Sequence, residues 1–472
     1  MRKTLILALI LTAGVTAGAQ QYRMEFRLDG LKDSTLYISR HFRDQLQVVD
    51  SARVGKDGSF VFKGKKTWNR GVYALVHQNK EKAIGDFMID DSRQFTITAD
   101  AELTPKTVKV KGSEANRAMF DYLATVSDAR KEIGEIRKRK QNAETKEQAL
   151  AEEKALKDRM DAYEAEVRHP KKSQIFFDLV NFFDDTDVPD SVENKAYYYR
   201  VHYWDRLFDK EKLPMTMDEL RYTPNLYNKM NYFFFGQLYH ADSDTIIKEI
   251  DRLATRIGKD TALLRYVFDH IEPRYFRSTR NIGWDAVWCH LASEYYLKGR
   301  CPWASEGTLH NMRYNYNRIK QSLIGAHAQE LWMADTNQSS NPEDWISSHR
   351  FPQKYVILWF WDPDCHHCQE QSAQLKVLYD SLLTAPYRPF EVYAIGYESD
   401  VAKWKKYVRE HDFRWVNVGG SNVNIDYQEA YNVHGAPTMI ILNEKRDIIM
   451  NKVIPIKNLL KFLEDYEKRA KN

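Results

Sequence analysis

Cysteine is scarce in this chain: four in 472 residues, at positions 289, 301, 365 and 368. That count excludes a small scaffold stapled by disulfides. A strong excess of one charge is also missing, with 70 Lys and Arg against 66 Asp and Glu. A dedicated nucleic-acid binder is therefore not expected. The basic run Arg137-Lys138-Arg139-Lys140 lies among glutamates and reads as a solvated helix face. Beyond the first twenty residues no apolar run reaches the roughly 20 residues that span a bilayer. Extreme composition is absent too: 43% hydrophobic and 29% charged residues are those of an ordinary folded protein.

The ends of the chain differ in character. Arg2-Lys3 precede "TLILALILTAGVTAGA", which closes on Ala17-Gly18-Ala19. A basic start, a short apolar core and small residues before the cut describe a cleavable secretory leader over residues 1–19. No cysteine follows the cut to take a lipid. The mature protein is expected to be periplasmic and without a membrane span.

Residues 20–112 alternate apolar and polar positions, as in "YRMEFRL" and "RQFTITA", with turns at Asp29-Gly30 and Lys56-Asp57-Gly58. A small antiparallel, sandwich-like β domain is expected there. Residues 113–170 change to helical spacing in a heavily charged segment broken near Asn142, which fits a helical hairpin ending at Pro170. Residues 171–322 remain helical and rich in aromatics, and core packing accounts for their stripes better than a ligand platform does. Residues 323–472 alternate strand and helix and end in a β-hairpin and a helix, the pattern of a mixed sheet with helical flanks. The expected class is multidomain α+β, closing with an α/β domain.

The chemistry concentrates in "VILWFWDPDCHHCQEQ", residues 356–371. A C-x-x-C that follows a strand and opens a helix is placed to activate a thiol. Free helix N–H groups and the positive dipole end favour the thiolate of Cys365. Cys368, one turn on, would be the resolving thiol that releases a mixed disulfide. His366 and His367 can support the thiolate, whereas Asp362 and Asp364 oppose it.

"LWFWDPDCHHC", followed about seventy residues later by "HGAPTMIIL", resembles the TlpA/ResA-like thiol-disulfide oxidoreductases of the Gram-negative envelope. The resemblance implies a thioredoxin-like fold for residues 323–472, with Phe360-Trp361 as the aromatic pair before the redox motif. It implies a cis bond before Pro437, and a substrate groove shaped by Trp361, Ala436, Pro437 and Thr438. No cofactor is called for, and the implied partners are protein thiols or disulfides and an upstream redox protein. The segments ahead of this domain resemble modules that precede TlpA-like domains in envelope proteins, which adds architecture but no activity. Two departures stand out. Gln371 and Ala373 occupy positions where many such proteins have Glu and Pro, and Trp359 replaces the buried acid of thioredoxin itself. Proton handling at Cys368 must differ accordingly.

Other readings stay open at this level. A zinc or copper site at Cys365-His366-His367-Cys368 would need outside ligands, such as His434, because four consecutive residues cannot converge on one ion. A peroxiredoxin would carry Thr or Ser where Asp362 stands. The motif could also be structural, in a protein that chiefly binds partners. Cys289 and Cys301 read as buried hydrophobic cysteines, with a disulfide between them as the alternative.

Overall fold

The computed structural model describes residues 21–470 except 33, 78–82, 143–144, 168–173, 184–185, 210, 212, 214, 279–280 and 398–399. The expected leader at residues 1–19 and the hairpin end at Pro170 lie outside the described residues. The chain forms two compact units, residues 1–240 with 253–257 and residues 241–252 with 258–472.

The first unit opens with strands β1 (Gln21–Asp29), β2 (Thr35–Phe42), β3 (Gln45–Arg53), β4 (Ser59–Lys65), β5 (Gly71–His77), β6 (Ala83–Ile89), β7 (Gln94–Asp100) and β8 (Lys109–Lys111). They make two four-stranded sheets, ordered β4-β1-β7-β8 and β3-β2-β5-β6. The alternation of β1 buries Tyr22, Met24, Phe26 and Leu28 on one face. Phe26 meets Phe60, Phe62 and Phe95 of its own sheet and Phe87 of the other, so the inner faces pack together. Pairing is antiparallel except between β1 and β7. The chain visits the second sheet twice before β7 returns beside β1, which permits that one parallel pair. Gly58 holds its turn at φ 79°, where a Cβ would collide with the Leu28 carbonyl.

Helices Glu114–Lys140 and Lys146–Val167 follow as an antiparallel pair closed around Ile136, Ala149 and Leu156. Ser113 Oγ caps the first by accepting the Asn116 N–H at 3.2 Å. Arg139 and Lys140 pair with Glu152 and Glu153, and Arg159 with Glu132. The basic run is thus an ion-paired helix face. Farther along, Tyr203 stacks on Phe233 at 4.7 Å and Trp204 meets that ring edge-on at 5.3 Å. These aromatic stripes are packing.

The second unit holds helices Thr261–Phe276, Trp284–His290 and Glu306–Ile319, then a seven-stranded mixed sheet. Its strands are β9 (Trp332–Asp335), β10 (Ile346–Ser347), β11 (Tyr355–Trp361), β12 (Phe390–Gly396), β13 (Val416–Val423), β14 (Thr438–Leu442) and β15 (Ile448–Met450). Their order is β10-β9-β13-β12-β11-β14-β15. Central β11 runs parallel to β12 and antiparallel to β14, and all seven of its residues are buried. An uninterrupted apolar run suits a strand covered on both faces. One face packs against helices His366–Leu383, Val401–Glu410 and Leu459–Ala470, the other against Ala328–Met333 and the turn of helix Tyr427–Ala430. Among the described residues no helix is long and apolar enough to cross a membrane.

Candidate functional site

Strand β11 stops at Trp361 and the next helix begins at His366, so Asp362 to Cys365 must turn the chain from sheet to helix. Asp362 makes the turn: its carboxylate accepts the Asp364 N–H at 2.7 Å and its carbonyl the Cys365 N–H at 3.2 Å. Gln369 Nε2 donates to the Pro363 carbonyl at 2.7 Å, and Lys403 pairs with Asp364. Cys365 is the helix N-cap, in extended conformation, and its Sγ accepts the Cys368 N–H at 3.3 Å. A sulfur there stands where Ser or Asp usually accepts the free amides of a first turn, in the positive end of the helix dipole.

The two thiols differ in surroundings. Cys365 is half-buried and its Sγ lies 3.6 Å from the Ala436 carbonyl oxygen. Cys368 is fully buried, and burial, reinforced by the hydrogen bond to Cys365, pushes its thiol up to about 12. Both are free thiols. The loop opposite supplies the cis Ala436–Pro437 bond that the resemblance implied, with Thr438 Oγ1 donating to the Gly435 carbonyl at 2.7 Å.

His366 and His367 are about four-fifths exposed, with Glu370 at 3.2 and 3.5 Å. Glu370 therefore faces the two imidazoles. Two exposed histidines and one buried cysteine do not converge on a point, and among the described residues no group of three or more His, Cys, Asp or Glu could hold a metal ion. Where thioredoxin has its buried acid, Trp359 is sealed in the core and donates its indole N–H to Ser372 Oγ at 3.0 Å. Gln371 Oε1 is buried and accepts no hydrogen bond.

Trp361 requires a correction. Expected in the groove, it is fully buried in the core between the sheet and its helices, 5.5 Å from the rings of Tyr407 and Phe413. The turn that exposes Cys365 starts only after Trp361, and β11 has no solvent-facing side for it to occupy.

Ala436, Pro437 and Thr438 do stand beside the motif, and Pro437, Thr438, His367, Gln371 and His434 line a cavity of about 990 Å³. Its far wall was not anticipated: Phe276, Arg277, Asp285, Trp288 and Asn315 come from the helical segment before the sheet. Cys289 and Cys301 are both free and buried elsewhere in the unit, and desolvation pushes each up to about 12.

Residues 353–448 match a family model described as thioredoxin-like, and residues 22–119 match a domain of unknown function, DUF4369. The C-terminal domain is thus thioredoxin-like. Similar solved structures include a domain of a "possible thiol-disulfide isomerase" from Cytophaga hutchinsonii, at 32% identity over 32% of this chain and 96% of that one, with a TM-score of 0.27. A thioredoxin-like protein from Bacteroides caccae is 17% identical over 60% of this chain and 98% of that one, TM-score 0.45. The thioredoxin domain of a thiol-disulfide oxidoreductase from Bacteroides vulgatus is 21% identical over 30% and 96%, TM-score 0.25. No curated protein matches the chain.

Proposed function

We propose that the protein is an exported thiol:disulfide oxidoreductase whose substrates are protein thiols and disulfides. One observation bears most of the weight: Cys365 caps the helix with the Cys368 amide directed at its sulfur, while Cys368 is buried one residue triplet behind. The leader-like residues 1–19 support an envelope location.

In the reducing direction, the Cys365 thiolate attacks a substrate disulfide. An S–S bond forms to the substrate, the substrate's own S–S bond breaks, and a substrate thiolate leaves. Cys368 then loses its proton and attacks Cys365 sulfur, forming the Cys365–Cys368 disulfide and expelling the second substrate thiolate. The dithiol loses two electrons, the substrate gains two, and the two cysteine protons end on the substrate thiols. An external dithiol restores the starting state. Trp359 stands in place of an acid, and the carboxylate felt by Cys368 is that of Asp362, which like burial disfavours its thiolate. The Cys368 amide and the helix N-terminus face the Cys365 sulfur.

A Cys368→Ser variant should accumulate mixed disulfides through Cys365, visible as adducts that dithiothreitol dissolves. Absence of adducts, together with no reduction of insulin by the dithiol protein, would sink the redox reading and favour a partner-binding module. The reduction potential of the pair gives the direction: near about −270 mV it is a reductant, near about −120 mV an oxidant.

A further inference from the structure

A thioredoxin-like domain by itself would offer Cys365 on an open face. Here the segment before the sheet builds a second wall opposite the Pro437 loop, within the same compact unit, around a cavity that takes in His367, Gln371 and Pro437 and lies beside the two cysteines without being lined by them. The wall is fastened on two sides. Asp285 Oδ2 accepts Asn451 Nδ2 at 2.6 Å and lies 3.6 Å from Lys452 Nζ, just past β15. Asn451 Nδ2 also donates to the Ser322 carbonyl at 2.9 Å. On the other side, Arg318 pairs with Glu429 at 3.0 Å and Tyr314 hydroxyl donates to that carboxylate at 3.2 Å. Helix Glu306–Ile319 is thus held to the turn that leads into the Pro437 loop.

A cavity of about 990 Å³ is at the upper end of those that enclose a ligand of drug size, so it admits a few residues of extended chain and excludes a folded surface. Its chemistry is two-sided. Phe276 is 43% exposed and packs on Trp288, with ring centroids 4.9 Å apart, and Val453, 39% exposed, belongs to the same lining. Arg277 is exposed beside Phe276. Asp285, the acid of this lining, is already engaged by Asn451 and Lys452. Arg277 feels the Glu272 carboxyl behind the wall, which is itself held by the Trp288 indole, and its exposed end is open to an arriving carboxylate as well. Gly435 on the facing wall has open space where a Cβ would be, leaving its backbone bare to an incoming chain.

We infer that the helical segment is the specificity wall of the redox site. It selects an extended polypeptide segment whose cysteine is flanked by an apolar side chain, taken by Phe276 and Val453, and an acidic one, taken by Arg277. This rests on the redox reading above and narrows its substrate class.

The test uses the full-length protein and two disulfide-bonded synthetic peptides, one with Leu and Glu beside the cysteine and one with Gly and Lys. The wild type should show kcat/KM about tenfold higher for the Leu/Glu peptide, the scale of one lost apolar or ionic contact. Phe276→Ala and Arg277→Glu should each collapse that ratio toward one, the second by selectively weakening the Glu-bearing peptide. Val377→Ala, on an exposed position of helix His366–Leu383, should keep the ratio. Equal kcat/KM for both peptides in the wild type, or a ratio untouched by both wall variants, overturns the inference. Hydroxyethyl disulfide, too small to need a wall, separates the failures: turnover of it with no peptide preference rejects the wall alone, and no turnover of it rejects the redox site as well.

Discussion

The second unit contains two pairs of cysteines, and the contrast between them shows what makes a thiol useful. Cys289 and Cys301 are enclosed by helices and pushed up to about 12 by desolvation. Cys368 has the same burial and the same upward push. Burial therefore does not distinguish the motif. Cys365 does: it alone combines partial exposure with an N-cap position and a main-chain N–H directed at its sulfur. The same side chain is inert filler in one helix and a candidate nucleophile at the mouth of another, because thiolate chemistry depends on where charge can be stabilised.

The sharpest way to break this contrast is to remove each sulfur in turn. Cys365→Ser should lower insulin reduction by roughly a thousandfold or more, while Cys289→Ala and Cys301→Ala should stay within about twofold of wild type in the same turbidity assay. Loss of turnover in either of the latter would mean that the helical pair takes part. Next in size is a pH effect. Cys368 stays protonated far below about 12, and only its thiolate attacks. Resolution of a Cys365-bound chromophore should therefore quicken about tenfold per pH unit between neutral and pH 9. A flat profile by stopped flow would mean that another group takes the proton.

Alkylation sharpens the comparison further. Iodoacetamide at neutral pH should label Cys365 at least about tenfold faster than the three buried cysteines, since attack needs exposure and thiolate together, as peptide mass spectrometry can read. The smallest effects are on stability. Cys289→Ser, which buries a hydroxyl, should cost about 1–3 kcal/mol, against a few tenths for Cys365→Ser at its half-open cap. Trp361→Ala should behave like a core change, losing about 3–5 kcal/mol in urea melts.

Legibility followed the range of the information. The alternation of "YRMEFRL" became β1 with its four inward residues, since a strand's period is local. The charged hairpin formed as its spacing implied, closing on Ile136, Ala149 and Leu156. Cys365 and Cys368 took their places because a strand end, a short turn and a helix start are all written within sixteen residues. Trp361 went the other way. Alternation says which residues of β11 share a face but not which face is covered, and here both are. The parallel β1–β7 pair was equally out of reach, because strands some seventy residues apart leave no local mark.

The sequence by itself determined where the candidate chemistry sits: a C-x-x-C at a strand-to-helix junction and a distant Ala-Pro-Thr loop. Only the tertiary structure decided the setting. It sealed Trp361 and Trp359 into the core, turned His366 and His367 toward Glu370, and set Phe276 and Arg277 across a cavity from Pro437. Secondary structure follows from neighbours in the chain, but a wall built by residues more than 100 positions from the loop it faces follows only from how helices and sheet pack.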